Sequence, residues 1–168
     1  QIGRYETERE LGRGGMGIVY AARDPEGRPV AVKLLKPGGT SREKRFVREV
    51  EALTRLRHEN VVRILDAGDH HGWSYLVTEL VEGEPLDERL ARDGALEPER
   101  AARVARDVAR AVAHAHAHDV LHRDLKPSNV IIDAQGRARV IDFGLARDAA
   151  TAGSLTHSGQ LLGTPGFW

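Results

Sequence analysis

Cysteine is absent from the 168 residues. That excludes a disulfide framework and any thiolate-ligated metal centre, and it suits a reducing compartment. Net charge is missing too, because 25 Lys and Arg are balanced by 25 Asp and Glu. A neutral chain has no global attraction for nucleic acid or for an acidic lipid surface. No apolar run approaches the roughly 20 residues that a membrane helix requires, and the chain opens at Gln1 with no basic-then-apolar signal segment. Internal repeats and low-complexity linkers are also lacking. What remains is the composition of a soluble folded domain, 40% hydrophobic and 30% charged.

The order of apolar runs and breakers reads as two parts. Arg4 to Leu11 is an extended stretch that leads into glycines, and Ile18 to Ala22 and Pro29 to Leu35 have strand character on either side of the turn Asp24-Pro25-Glu26-Gly27. Thr40 or Ser41 caps a helix that places Phe46, Val50, Leu53 and Leu56 at helical spacing. Val61–Leu65 and Tyr75–Thr78 read as two further strands around the turn Asp69-His70-His71-Gly72. Five antiparallel strands and one helix make a first lobe over residues 1–79. Residues 80–85 are a crossover, with Glu79 at its edge. Residues 86–168 hold a short helix from Leu86 to Arg92 and a long one from Pro98 to about His118. Ala101, Val104, Ala105, Val108 and Val112 lie on one face of the long helix. A hairpin, Val130–Asp133 with Ala138–Ile141, and a hydroxyl-rich tail follow.

Four stretches carry chemistry. His122-Arg123-Asp124-Leu125-Lys126-Pro127-Ser128-Asn129 is a polar loop pinned between the apolar runs Val120-Leu121 and Val130-Ile131-Ile132. Loops held on a rigid scaffold are where catalytic groups sit. Asp142 ends the apolar strand Val140-Ile141. Gly12-Arg13-Gly14-Gly15-Met16-Gly17 allows backbone N–H groups to approach phosphate oxygens with no Cβ in the way. A strand follows these glycines, whereas a dinucleotide site would need a helix. Lys33 ends the apolar strand Val30-Ala31-Val32 and needs a partner. Glu43, Glu49 and Glu51 are the candidates, and Glu49 adjoins the inward face of its helix.

In this order the four stretches resemble the protein kinases. The run Arg123-Asp124-Leu125-Lys126-Pro127 is similar to the serine/threonine branch, and the Gly-Arg-Gly-Gly-Met-Gly loop to its bacterial members. The resemblance implies an α+β bilobal fold, with a complete five-stranded first lobe and part of a helical second lobe. It also implies ATP, Mg²⁺ (with Mn²⁺ as an alternative) and phosphoryl transfer to serine or threonine of protein substrates. Asp124 would be the base, Lys126 would face the γ-phosphate, and Lys33 would pair with Glu49 and contact the α and β phosphates. Asn129 and Asp142 would hold the metal. Nucleotide contacts would come from Leu11, Gly12, Gly14, Gly15, Gly17, Val19, Ala31, Glu79, Val81 and Ile131, with Thr78 as gatekeeper. Arg123 before Asp124 implies control by phosphorylation, with Thr156 and Ser158 at the positions of the family's phosphothreonines (Ser158 a departure) and Thr164, a third regulatory hydroxyl, at the position that bonds the base and lysine near the substrate.

The resemblance runs from about Tyr5 to Trp168 and stops short of the Ala-Pro-Glu segment and the helices that follow it in the family. The expectation is therefore a segment of a longer kinase. That segment would be cytoplasmic and without membrane contact of its own, in a parent that a further segment could anchor. A dimer of kinase domains is a further partner the family admits. The competing expectation is a non-catalytic ATP-binding or regulatory module. His114, His116 and His118 read as surface and packing residues rather than metal ligands. Only His114 and His118 share a helix face, and nothing nearby in sequence completes a site.

Overall fold

The computed structural model describes residues 1–14, 17–35 and 50–143. The chain divides into two units, Gln1–Arg55 with Arg63–Leu80, and Leu56–Val62 with the residues from Val81 onward.

The first unit is built on β1 (Glu6–Gly14), β2 (Gly17–Arg23), β3 (Pro29–Leu35), β4 (Ile64–His70) and β5 (Trp73–Glu79), hydrogen-bonded in the order β1-β2-β3-β5-β4. All four pairings are antiparallel. Alternation along the strands decides the faces. Tyr20 opposes Val32, Ala22 opposes Val30, and Val32 opposes Val77. With Ile2, Tyr5 and Tyr75 these side chains form one buried cluster. Tyr5 and Tyr75 meet edge-on with ring centroids 6.0 Å apart. The Tyr5 hydroxyl donates to Asp66 Oδ2 at 2.6 Å, which ties the N-terminal segment to β4.

The strand expected over Val61–Leu65 begins only at Ile64. Val61 instead forms an isolated parallel bridge with Val140, so the β-branched run is shared between two partners. The turn expected over Asp69–Gly72 is shorter. His71 and Gly72 alone take positive φ, 52° and 78°, as a two-residue hairpin turn requires. Of the helix expected before Leu56, residues 50–53 are described and helical. Val50 and Leu53 are buried there, as the spacing predicts.

The second unit contains β6 (Gly83–Pro85), α1 (Leu86–Asp93), α2 (Pro98–His116), a 3-10 turn (Pro127–Asn129), β7 (Val130–Asp133) and β8 (Ala138–Val140). Gly83–Pro85, expected within the crossover, is a strand that pairs with β7 in a sheet ordered β6-β7-β8. Leu86, Val104, Val130, Ile132 and Ala138 form the core, with Leu90, Leu96 and Val108 against it. Pro98 opens α2 at its first turn, where no intrahelical N–H is needed. The buried residues of α2 are Val104, Asp107, Ala111 and Ala115. This face is rotated from the expected one, and Ala105 is exposed. The rotation has a polar cause. Asp107 Oδ2 accepts the Ala138 N–H of β8 at 3.3 Å, and the small Ala111 and Ala115 are fully buried.

One device closes the β2–β3 and the β7–β8 hairpins. Asp24 Oδ1 accepts the N–H groups of Glu26 and Arg28, and its Oδ2 accepts Arg28 Nε. Asp133 Oδ1 likewise accepts those of Gln135 and Arg137, and its Oδ2 accepts Arg137 Nε. Each turn reads Asp-X-X-Gly-Arg, and its glycine takes the left-handed conformation, at φ 79° for Gly27 and 78° for Gly136.

Candidate active site

In the first unit the register gathers the expected nucleotide-side residues on one sheet face. Val19 opposes Lys33, and Ala21 opposes Ala31. Across β5, Lys33 opposes Leu76, and Ala31 opposes Thr78. Directly opposed residues share a face, so these lie together on the side away from the Tyr20, Val30 and Val32 core. Val19, Ala31, Lys33 and Thr78 are half-buried. Gly12 opposes Val19, and Gly14 opposes Gly17 at the end of the hairpin. Leu11 sits at the bulge between Glu10 and Gly12 and is exposed. The Glu79 N–H donates to Arg63 O, and its carboxylate accepts the Arg63 N–H. Any bond from the Glu79 backbone to a base edge must therefore come from its carbonyl. Gly15 and Glu49 lie outside the described residues, as do Thr156, Ser158 and Thr164.

In the second unit the loop residues form one connected network. Lys126 Nζ lies 2.8 Å from Asp124 Oδ2, with side chains 28% and 16% exposed. Asn129 is buried, and its Nδ2 donates to Asp124 O at 2.8 Å and reaches Asp124 Oδ2 at 3.4 Å. The 3-10 turn follows from Pro127 at its first position and from the Asn129 N–H donating to Lys126 O. Asn129 O then accepts the Ile141 N–H at 3.0 Å, which fixes the residue before Asp142. Ile131 and Val81 are half-buried, and Ile131 pairs between Pro85 and Arg139.

His122 joins the two halves of this network. Its buried ring lies 2.9 Å from Ile141 O through Nε2 and packs against Phe143, with ring centroids 4.6 Å apart and planes tilted by 56°. Nδ1 receives the Asp124 N–H at 3.4 Å, which sets the tautomer with Nε2–H donating. Burial holds the imidazole below its ordinary pKa. The Ile141 bond and the nearby Asp142 and Asp124 carboxylates pull the other way without overcoming it. A neutral ring therefore braces the backbone before both aspartates. Arg123 and Asp142 take the left-handed conformation at φ 66° and 60°. Two such residues flanking one network are the sort of backbone strain that marks functional sites.

Two polar residues that the sequence reading passed over hold this geometry. Asp107 and Asn60 are both buried, and both bond Ala138, Asp107 at the N–H and Asn60 through Nδ2 to the carbonyl at 2.9 Å. A polar residue on the buried spacing of α2 was the available signal for Asp107. Among the described residues, no group of three His, Cys, Asp or Glu is placed to hold a metal ion, and no helix is long and apolar enough to cross a membrane.

A five-stranded sheet with a Gly-rich turn, followed by a helical unit that presents carboxylates on consecutive loops, has the architecture of a protein-kinase-like domain. The protein kinase domain profile matches residues 5–168, and the chain belongs to that family. It is 39% identical over 166 residues to serine/threonine-protein kinase PrkC of Bacillus subtilis, covering 96% of this chain and 26% of that protein. It is 39% identical over 168 residues to PknD of Mycobacterium tuberculosis (98% and 25%). To pkn2 of Myxococcus xanthus it is 40% identical over 174 residues (98% and 21%). The chain spans about a quarter of the length of these curated relatives.

Proposed function

We propose that this chain is the ATP-binding and phosphoryl-transferring segment of a protein kinase that acts on serine and threonine. The observation that carries the reading is the Asp124–Lys126–Asn129 network, whose Asn129 carbonyl anchors the backbone at Asp142. Asp124 orients the substrate hydroxyl and takes its proton as the oxygen bonds the γ-phosphorus and the bond to the bridging oxygen breaks. Lys126, beside it, offsets charge on the transferring group. Lys33 meets the α and β phosphates, with Glu49 as its partner. Gly12, Gly14, Gly15 and Gly17 cover the phosphates. Leu11, Val19, Ala31 and Ile131 make the apolar contacts to the base, while the Glu79 carbonyl and the Val81 backbone bond its edge.

Asn129 and Asp142 fit a hard divalent cation. Asn129 Nδ2 already donates to Asp124 O, so its Oδ1 is the atom it would offer to a cation, with the Asp142 carboxylate as the second oxygen ligand. Bound Mg²⁺ or Mn²⁺ supplies charge neutralisation to the phosphates. Thr156, Ser158 and Thr164 are the sites of autophosphorylation, read out through Arg123. Pairing of two kinase domains would bring one copy's hydroxyls to the other's Asp124.

Asp124→Asn in the intact protein is the test. Transfer of labelled γ-phosphate to serine/threonine peptides should fall about 10²–10⁴-fold, with ATP affinity retained within roughly two-fold. Unchanged transfer removes Asp124 as the base. A parent protein that binds ATP but transfers no phosphate leaves the nucleotide-binding-module reading.

A further inference from the structure

Strand β8, which delivers Asp142, is gripped on its second edge by the segment Arg57–Val62. Asn60 O accepts the Val140 N–H at 2.8 Å, Val140 O accepts the Val62 N–H at 3.0 Å, and Asn60 Nδ2 donates to Ala138 O. The grip carries a cost. Asn60 is almost fully buried, and its Oδ1 has no hydrogen-bond partner among the described residues. A buried acceptor left unmade costs about 1–3 kcal/mol. Such a group in a native fold calls for an explanation.

What holds the gripping segment is unusual. Two of its backbone N–H groups are satisfied by imidazole lone pairs. The Arg57 N–H donates to His114 Nε2 of α2 at 3.3 Å, and the Asn60 N–H donates to His58 Nδ1 at 3.0 Å. The rings of His58 and His114 lie 5.1 Å apart, and those of His114 and His118 lie 4.5 Å apart. His118 Nδ1 is 2.8 Å from His114 O. An imidazole accepts a hydrogen bond only while neutral, since both nitrogens of the cation are donors. Protonating His114 would set an N–H against the Arg57 N–H.

We propose that His114 is a positioning residue for the phosphoryl-transfer site. Its neutral ring latches Arg57–Val62 against α2, and through Asn60 this segment holds β8 in the register that presents Asp142. Acidification opens the latch. The inference rests on the proposed kinase function only for its catalytic consequence.

The groups whose charge His114 feels are His118 on its own helix and His58 on the segment. Arg57 and Glu59 flank His58 on that segment, and Arg110 precedes His114 by one helical turn. Burial, then His118, then His58 hold the His114 ring below its ordinary pKa of 6.5. The folded chain therefore favours the unprotonated ring. The latch is at full strength above the ordinary imidazole value and is lost as the pH falls below it.

Two readouts in the intact protein test this. Hydrogen exchange between pH 7.5 and 5.5, corrected for intrinsic rates, should show peptides over Arg57–Val62 and Ala138–Asp142 losing protection together. A peptide over β2 and β3 should not lose protection. In the double variant His58→Asn, His114→Gln, amide oxygens stand where the two lone pairs were and cannot titrate, so protection should hold throughout. The acid fall in kcat should be roughly three-fold or more smaller in that variant than in the parent, with KM for ATP little changed. If the parent shows no joint loss of protection, the proposal is overturned, and this outcome needs no variant to fold. An equal loss in the variant also overturns it. Joint loss in a parent that transfers no phosphate at any pH supports the latch and removes the catalytic reading instead.

Discussion

Glycines of one loop are expected to answer substitution in opposite ways. A Cβ built on Gly17 would stand 2.0 Å from Leu34 O and 3.2 Å from Leu35 Cα, and Gly17 takes φ +156°. The obstacle is paired backbone, so relief requires prising β2 from β3 where Gly17 opposes Leu35 and Ile18 opposes Leu34. Overpacking costs about 1–3 kcal/mol, and a Gly-only backbone conformation costs about 1–3 kcal/mol more. Taking about 3 kcal/mol, and about 2–4 °C per kcal/mol for a domain of this size, Gly17→Ala should lower Tm by roughly 6–12 °C. Gly12 and Gly14 differ, because no described atom lies within 4 Å of a Cβ built on either and neither takes a positive φ. Alanine there restricts the unfolded chain and should leave stability unchanged or raise it by about 0.4–1 kcal/mol. If these glycines serve the phosphates, Gly12→Ala and Gly14→Ala should instead raise KM for ATP. Circular-dichroism melts and ATP titrations of the three variants separate the effects. A Gly17→Ala protein that melts within about 2 °C of the parent would refute the steric argument. A Gly12→Ala loss of stability equal to that of Gly17→Ala would refute the division of roles.

Two further outcomes follow from buried hydrogen bonds. Burial and the bond to Asp66 push the Tyr5 hydroxyl up to about 12. The neutral phenol is the form the fold holds, so its contribution is intact below pH 10 and lost as the pH rises from 10 toward 12. A spectrophotometric titration that finds all the tyrosines ionising near pH 10 would contradict this. Tyr5→Phe should cost about 1.5–3 kcal/mol in chemical denaturation, the range for a bond to a charged acceptor. Asp107→Ala strips the Ala138 N–H of its acceptor and should cost about 1–3 kcal/mol. It should also speed hydrogen exchange at Ala138 more than in β1. A variant as stable as the parent would show that α2 is not oriented by this bond.

The strands β2 and β3, the starts of α1 and α2, the β7–β8 hairpin and the polar loop from His122 to Asn129 were legible from sequence. Each is set by interactions within a few residues: alternation, a proline at a first helical turn, an Asp-X-X-Gly-Arg turn. Membership in the protein kinase family was legible for the same reason, since its motifs are local runs in a set order. Tertiary structure alone decided which face of α2 is buried, because Asp107 answers to a backbone N–H 31 residues away. It also decided that Val61 leaves the expected strand for β8, and that Asn60, 78 residues from Ala138, holds the strand that carries Asp142. Hydrogen bonds at such separations leave no periodicity in the sequence. Their partners become neighbours only when the backbone of the second unit is folded.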